Sequence, residues 1–153
     1  MYRELLAELS KGYGWVRPRP PCPEAEIAAA EKALGCPFPP ELRALLRELN
    51  GDKWLLLSAS DIVKNAEQNR KAYLPLFEED FTMEEYRDRI ERFLFFAKNG
   101  CGNLYGYRLS PEGVPDETTI FYWDHEEIGE PCCWKPVAKS ITEFLTRYYR
   151  NEI

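Results

Sequence analysis

No stretch of this 153-residue chain comes near the ~20 consecutive apolar residues that a membrane-spanning helix requires. The opening run from Met1 to Leu9 has neither the basic flank, the apolar centre nor the small-residue cleavage site of a secretory signal, so a cytoplasmic location is expected. There is one histidine, His125, with no cysteine or acidic partner at a recognised metal-ligand spacing. The cysteines (Cys22, Cys36, Cys101, Cys132 and Cys133) are odd in number, and an adjacent pair on a strand would point to opposite faces. Neither fact suits a disulfide framework, and reduced thiols with no metal and no cofactor are the expectation.

Also missing are a nucleophile elbow, a phosphate loop, a metalloprotease motif and a dinucleotide fingerprint. Asn99-Gly-Cys-Gly-Asn103 is rich in glycine but leads into no helix carrying a lysine, and a hairpin turn accounts for its glycines. Two weak catalytic constellations are left. Cys101 with His125 as base would make a small hydrolase, and Asp124 with Glu126 and Glu127 offers paired carboxylates. Unpaired thiols and solvated loops account for both sets of residues, so no catalytic residues are assigned and the chain is not expected to be an enzyme.

Positive charge is scarce where negative charge is dense. Net charge is −6, and residues 1–50 are balanced at seven bases and seven acids, whereas Leu109 to Trp134 holds seven acids and no Lys or Arg. A second acidic stretch, residues 74–92, contains Glu78, Glu79, Asp80, Glu84, Glu85, Asp88 and Glu91. A protein that neutralises phosphates needs the opposite sign. Direct nucleic-acid binding is therefore disfavoured, and a basic protein partner is favoured.

What is present is apolar patterning sufficient for one folded domain: 44% of residues are hydrophobic and 14% aromatic. Tyr2, Leu5, Leu6 and Leu9 form the stripe of a first helix, ended by Gly12 and Gly14. Val16 to Pro23 is a proline-rich extended lead-in. A second helix opens at Pro23-Glu24, faces Ile27, Ala30, Ala33 and Leu34 inward, and stops at Gly35. A third opens at Pro40 with Leu42, Leu45, Leu46 and Leu49 inward, and leaves through Asn50-Gly51. Trp54–Ser58 reads as a short strand, and Asp61 as the cap of a helix from Ile62 to about Tyr73. Thr82 with Glu85 is a capping box for a helix over Met83–Ile90. Phe93–Leu109 reads as an antiparallel hairpin turning at Asn99–Asn103, Thr119–His125 as a third strand and Trp134–Ala138 as a fourth. Ser140 with Glu143 caps a last helix bearing Ile141, Phe144, Leu145 and Tyr148. Helices, then consecutive antiparallel strands, then one helix make an α+β domain with about four to six strands.

Four pieces, in order, carry a family resemblance. The first is Ile27 with Glu31 and Leu34-Gly35, then Phe38-Pro39, Pro40-Glu41-Leu42, Leu45-Leu46 and Asn50-Gly51. The second is Phe95-Phe-Ala-Lys-Asn-Gly-Cys-Gly-Asn-Leu-Tyr105, and the third is Ile120 to Glu126, ending in Asp124-His125-Glu126. The fourth is Val137-Ala138 with Ser140, Phe144 and Leu145. Together they resemble the SUKH superfamily, which includes yeast cell-wall regulators of the Smi/Knr type and many bacterial immunity proteins. The match spans roughly residues 24–149. The proline-rich lead-in and the acidic segment 74–92 depart from the pattern.

The resemblance implies a single SUKH-like domain over residues 1–153, with residues 1–23 as helix and lead-in. It further implies a non-catalytic binder, in bacteria one that neutralises a cognate toxin such as a nuclease. The alternative is a regulatory or scaffold module with another protein partner. Joined to the charge pattern, it places the expected partner surface at Glu78, Glu79, Asp80, Glu84, Glu85, Asp124, Glu126 and Glu127, with Tyr122 or Trp123 as an aromatic anchor.

Overall fold

Prolines and glycines set the element boundaries of the N-terminal half. In the computed structural model, which describes all 153 residues, α1 spans Tyr2–Leu9 and buries Tyr2 and Leu6. The lead-in is extended and anchored: the amides of Arg17, Arg19 and Cys22 donate to the carbonyls of Asp52, Gly51 and Leu46. Helix α2 spans Glu24–Leu34, with Pro23 as its N-cap and left-handed Gly35 closing it. Ile27 and Ala30 are buried, but Ala33, expected inward, is exposed. Helix α3 spans Pro40–Glu48 and buries Leu42, Leu45 and Leu46. Its exit differs from the expected one, because Leu49 follows in an extended conformation and the positive φ falls on Gly51.

Helix α4 spans Ala59–Asp80, well past the expected end near Tyr73. Its cap is Ser58, not Asp61: the Ser58 hydroxyl accepts the Asp61 amide at 3.1 Å. Pro75 lies inside it, where proline costs about 3 kcal/mol. The cost is offset further along, because Phe77 is fully buried against Phe81 and Tyr86, with ring centroids 4.7 and 5.7 Å away. Helix α5, Met83–Tyr86, begins at the Thr82–Glu85 capping box and continues as a π-helical turn over Arg87–Glu91. The expected α-helix over Met83–Ile90 is therefore a hybrid.

The strands β1 (Phe93–Lys98), β2 (Leu104–Arg108), β3 (Ile120–Trp123) and β4 (Trp134–Ala138) form one antiparallel meander in the order β1-β2-β3-β4. The register shifts between Phe95 and Ala97, which leaves Phe96 as a bulge. Gly106 opposes Phe95 there, and a Cβ on it would lie 2.2 Å from the Leu94 carbonyl oxygen. Only glycine fits this approach.

Alternation along the strands divides the aromatic residues between two cores. Leu94, Phe96, Tyr105, Tyr107, Ile120 and Val137 join the large core with α1, α2, α3 and α6 (Ile141–Tyr149). Phe93, Phe95, Leu104, Trp123 and Cys133 join a smaller core with Phe77, Tyr86 and Ile90. The sheet is thus covered on both faces by the chain's own helices. No helix is long and apolar enough to cross a membrane.

Trp54–Ser58, expected as a strand, makes a single bridge, Leu56 to Ala97. Asp52 is the cause. Its side chain is fully buried, and Oδ1 accepts the amides of Trp54, Leu55 and Leu56 at 2.9, 2.8 and 2.8 Å. Those amides are drawn into a turn and withdrawn from any ladder. Oδ2 has no partner, and burial raises the Asp52 pKa above the usual carboxylate range, the three amides opposing it.

A raised folded pKa means that this group's contribution is fully present below its unfolded value and is lost as pH rises through the folded one. Asp52→Asn keeps an acceptor for the three amides without the buried charge, so it is expected to cost less than about 1 kcal/mol at neutral pH. Asp52→Ala, which strands the three amides, is expected to cost about 3 kcal/mol or more. Urea unfolding at acid and neutral pH checks this. Wild type should lose ground to Asp52→Asn as pH rises, and equal damage from both substitutions would contradict the assignment.

Candidate acidic binding surface

The two acidic stretches are distant in sequence and meet through one arginine. Arg89 lies in the π-helical turn and is 7% exposed. Its Nη1 donates to the carbonyls of Ile128 and Gly129 at 3.1 and 2.8 Å, and its Nη2 to Glu85 Oε2 at 3.1 Å. Its own carbonyl accepts the Trp123 indole N–H at 2.8 Å, and its guanidinium lies 5.3 Å from the centre of the Phe81 ring. One side chain therefore joins the α4–α5 corner to the loop after β3. A buried guanidinium is tolerable only with such a full set of acceptors.

The corner and the loop carry the acids. Glu78, Glu79 and Asp80 are exposed on the last turn of α4, and Glu126, Glu127 and Glu130 are exposed in and after the 3₁₀ turn His125–Glu127. No ion pair in the structure uses any of these six. Asp124 is committed locally, its Oδ1 accepting the Glu126 amide at 2.9 Å as the cap of the turn.

The rest of the acidic stretch is offset by bases, contrary to the charge-only expectation. Glu84 pairs with Arg92 at 2.7 Å, Glu85 with Arg89, and Asp88 with Arg108 at 2.7 Å. The amide and hydroxyl of Thr82, and then Arg89, hold the Glu85 carboxyl below its usual value. The residues that bridge sequence-distant acids are legible only as an i, i+4 pair, Glu85–Arg89. Arg89 itself reads as one more surface base.

The two aromatic candidates separate. Trp123 is fully buried in the smaller core, its ring 5.2 Å from Phe95 and 5.9 Å from Tyr73. It is not an exposed anchor. Tyr122 points to the opposite face, packs on the large core and accepts the Asn103 side-chain amide at 2.6 Å. It is half-buried and does not join the acids at the end of α4.

Cys101 and His125 are brought close to the same turn without a hydrogen bond between them. His125 lies against Gly102, where a Cβ would come within 2.8 Å of its ring. Its Nδ1–H donates to Asn103 Oδ1 at 2.6 Å, and its backbone amide donates to the same oxygen. The exposed Cys101 thiol makes no hydrogen bond to the imidazole. Cys22, Cys36 and Cys133 are buried, and burial raises each thiol to about 11. No three His, Cys, Asp or Glu side chains converge to hold a metal ion.

The model of the SMI1 / KNR4 family (SUKH-1) matches residues 21–147. The chain belongs to this family. No curated protein matches the chain significantly. The SUKH-1 match begins in the lead-in and ends within α6, so it takes in Arg89, both acidic segments and the whole sheet. The acidic segments of this SUKH-1 domain, at the end of α4 and in the β3–β4 loop, thus lie inside the matched span.

Replacing the joining side chain should loosen that surface without touching its acids. Arg89→Ala strands the Ile128 and Gly129 carbonyls and is expected to cost about 3 kcal/mol in urea unfolding. Trp123 fluorescence should shift to the red in the folded variant. A cost below about 1 kcal/mol with unchanged emission would contradict the role given to Arg89.

Proposed function

We propose that this SUKH-1 domain is a non-catalytic binding protein whose acidic surface covers a basic surface on another protein, namely a toxin domain that it neutralises. Family membership supports a binding role, and Cys101 and His125 make no hydrogen bond to one another. The observation that carries the choice of partner is the set of exposed, unpaired carboxylates Glu78, Glu79, Asp80, Glu126, Glu127 and Glu130 on two segments joined by Arg89. Solubility alone calls for mixed signs spread over a surface. A one-signed field instead speeds encounter with a partner of opposite sign and opposes binding to a wrong one.

The product of the gene immediately upstream supplies the test. If it is the partner, cells expressing it alone should stop growing, and cells expressing both proteins should grow. Growth arrest in both, with this chain folded, contradicts the reading. The interface is tested by reversing Glu79, Asp80, Glu126 and Glu127 to Lys, leaving the capping Asp124 in place. The association rate with the same partner is expected to fall at least tenfold at low salt, with circular dichroism unchanged, and wild-type association should slow as salt rises. An unchanged rate in a folded fourfold variant would move the interface elsewhere.

A further inference from the structure

Along α4, Ile62, Asn65, Ala66 and Asn69 follow the i, i+3, i+4, i+7 spacing of one helix face. That face turns toward the end of α2 and toward Phe93–Phe95, the part of the β1 edge that Leu55–Leu57 does not reach. Two of its four residues are amides and one is alanine, so it cannot fill the space before it. A cleft of about 340 Å³ results, at the seam between the two cores, with Leu34, Ile62, Ile90 and Phe95 among its walls.

Two polar groups in this wall are buried and poorly satisfied: the Asn65 side-chain oxygen has no hydrogen-bond partner, and the Tyr86 hydroxyl, on a residue with no exposed surface, has only the Glu91 carboxylate near it, without a well-formed hydrogen bond. Folded proteins seldom leave such groups unpaired. A dry apolar void would not contain them, and a well-packed core would have no cleft beside them.

We infer that the cleft is a binding site for a small, uncharged, largely apolar molecule that carries one hydroxyl or N–H group. The size follows from the volume, about twice that of a cavity that accepts one benzene ring, and within the range of natural ligand sites. The donor follows from Asn65, whose orphaned oxygen can only accept, while the Tyr86 hydroxyl turns to donate or to accept. The lack of charge follows from the walls. Arg70 and Glu91 at the margin face one another at 4.0 Å, and Glu67, in no ion pair, stands exposed at the rim, so a charged guest would lose its hydration with no buried counter-charge to replace it. Burial first, and then the nearby Glu91 carboxylate, raise the Tyr86 phenol to about 12, so it remains a neutral hydrogen-bonding group at physiological pH. The site does not depend on the acidic surface: Asn65 and Glu78 are about 20 Å apart along the axis of α4.

The probe is 2-naphthol, with naphthalene as the partner lacking the hydroxyl, each titrated into the full chain and followed by amide chemical shifts. Saturable shifts are expected for Ile62–Arg70 and Ile90–Phe95, with naphthalene bound at least tenfold more weakly. Tyr86→Phe and Asn65→Ala should each weaken 2-naphthol about fivefold to tenfold and leave naphthalene unchanged, which also shows that the variant cleft is intact. Since Tyr86→Phe removes a poorly satisfied buried hydroxyl, the free variant should melt no lower than wild type. No saturable shifts, shifts confined to other surfaces, or equal binding of both probes in wild type would overturn the inference. A cleft that holds only ordered water would give the first of these results.

Discussion

The guanidinium of Arg89 holds in place the part of the molecule that differs most from an ordinary helix-covered sheet. Its buried charge would be costly alone, and it persists because two loop carbonyls, one carboxylate and the face of Phe81 surround it. The π-helical turn is part of the same arrangement: the Arg89 carbonyl accepts the Trp123 indole N–H. Trp123 in turn fills the smaller core between Phe95 and Tyr73. Helix corner, central strand and β3–β4 loop are therefore fixed by neighbouring atoms of one residue, and the exposed acids are carried on two of those three pieces.

Helix α4 serves both cores and fits neither completely. Its far end is fastened by Phe77 despite Pro75, which carries Glu78, Glu79 and Asp80 out to the corner. Its near half offers amides and alanine to the edge of β1 and leaves the cleft beside Tyr86. A fully apolar face over Ile62–Asn69 would have closed that space. The two cores, divided by the sheet, come nearest one another at this seam.

Much of the architecture is legible in the residues. Pro23, Gly35, Pro40, Thr82–Glu85 and Ser140 mark helix ends by local chemistry, and the Asn99–Asn103 turn marks the hairpin. What could not be read depends on contacts between distant residues. The length of α4 rests on Phe77 meeting Tyr86, not on the local preference of Pro75. The reduction of Trp54–Ser58 to one bridge rests on a buried carboxylate that looks like a surface acid in the sequence. Trp123 and Tyr122 are adjacent and equally aromatic, so the alternation that sends them to opposite faces is predictable, but which of the two is fully buried is not. The acidic surface was half legible: the acids are visible as charge runs, but the pairing of Glu84, Glu85 and Asp88 with arginines depends on the fold.

Hydrogen–deuterium exchange of the chain bound to the proposed basic partner tests the acidic surface most directly. Amides of Phe77–Tyr86 and Asp124–Glu130 should gain protection together, as two segments of one footprint joined at Arg89. Protection confined to α1–α3 and the lead-in, with both acidic segments exchanging as in the free protein, would contradict it.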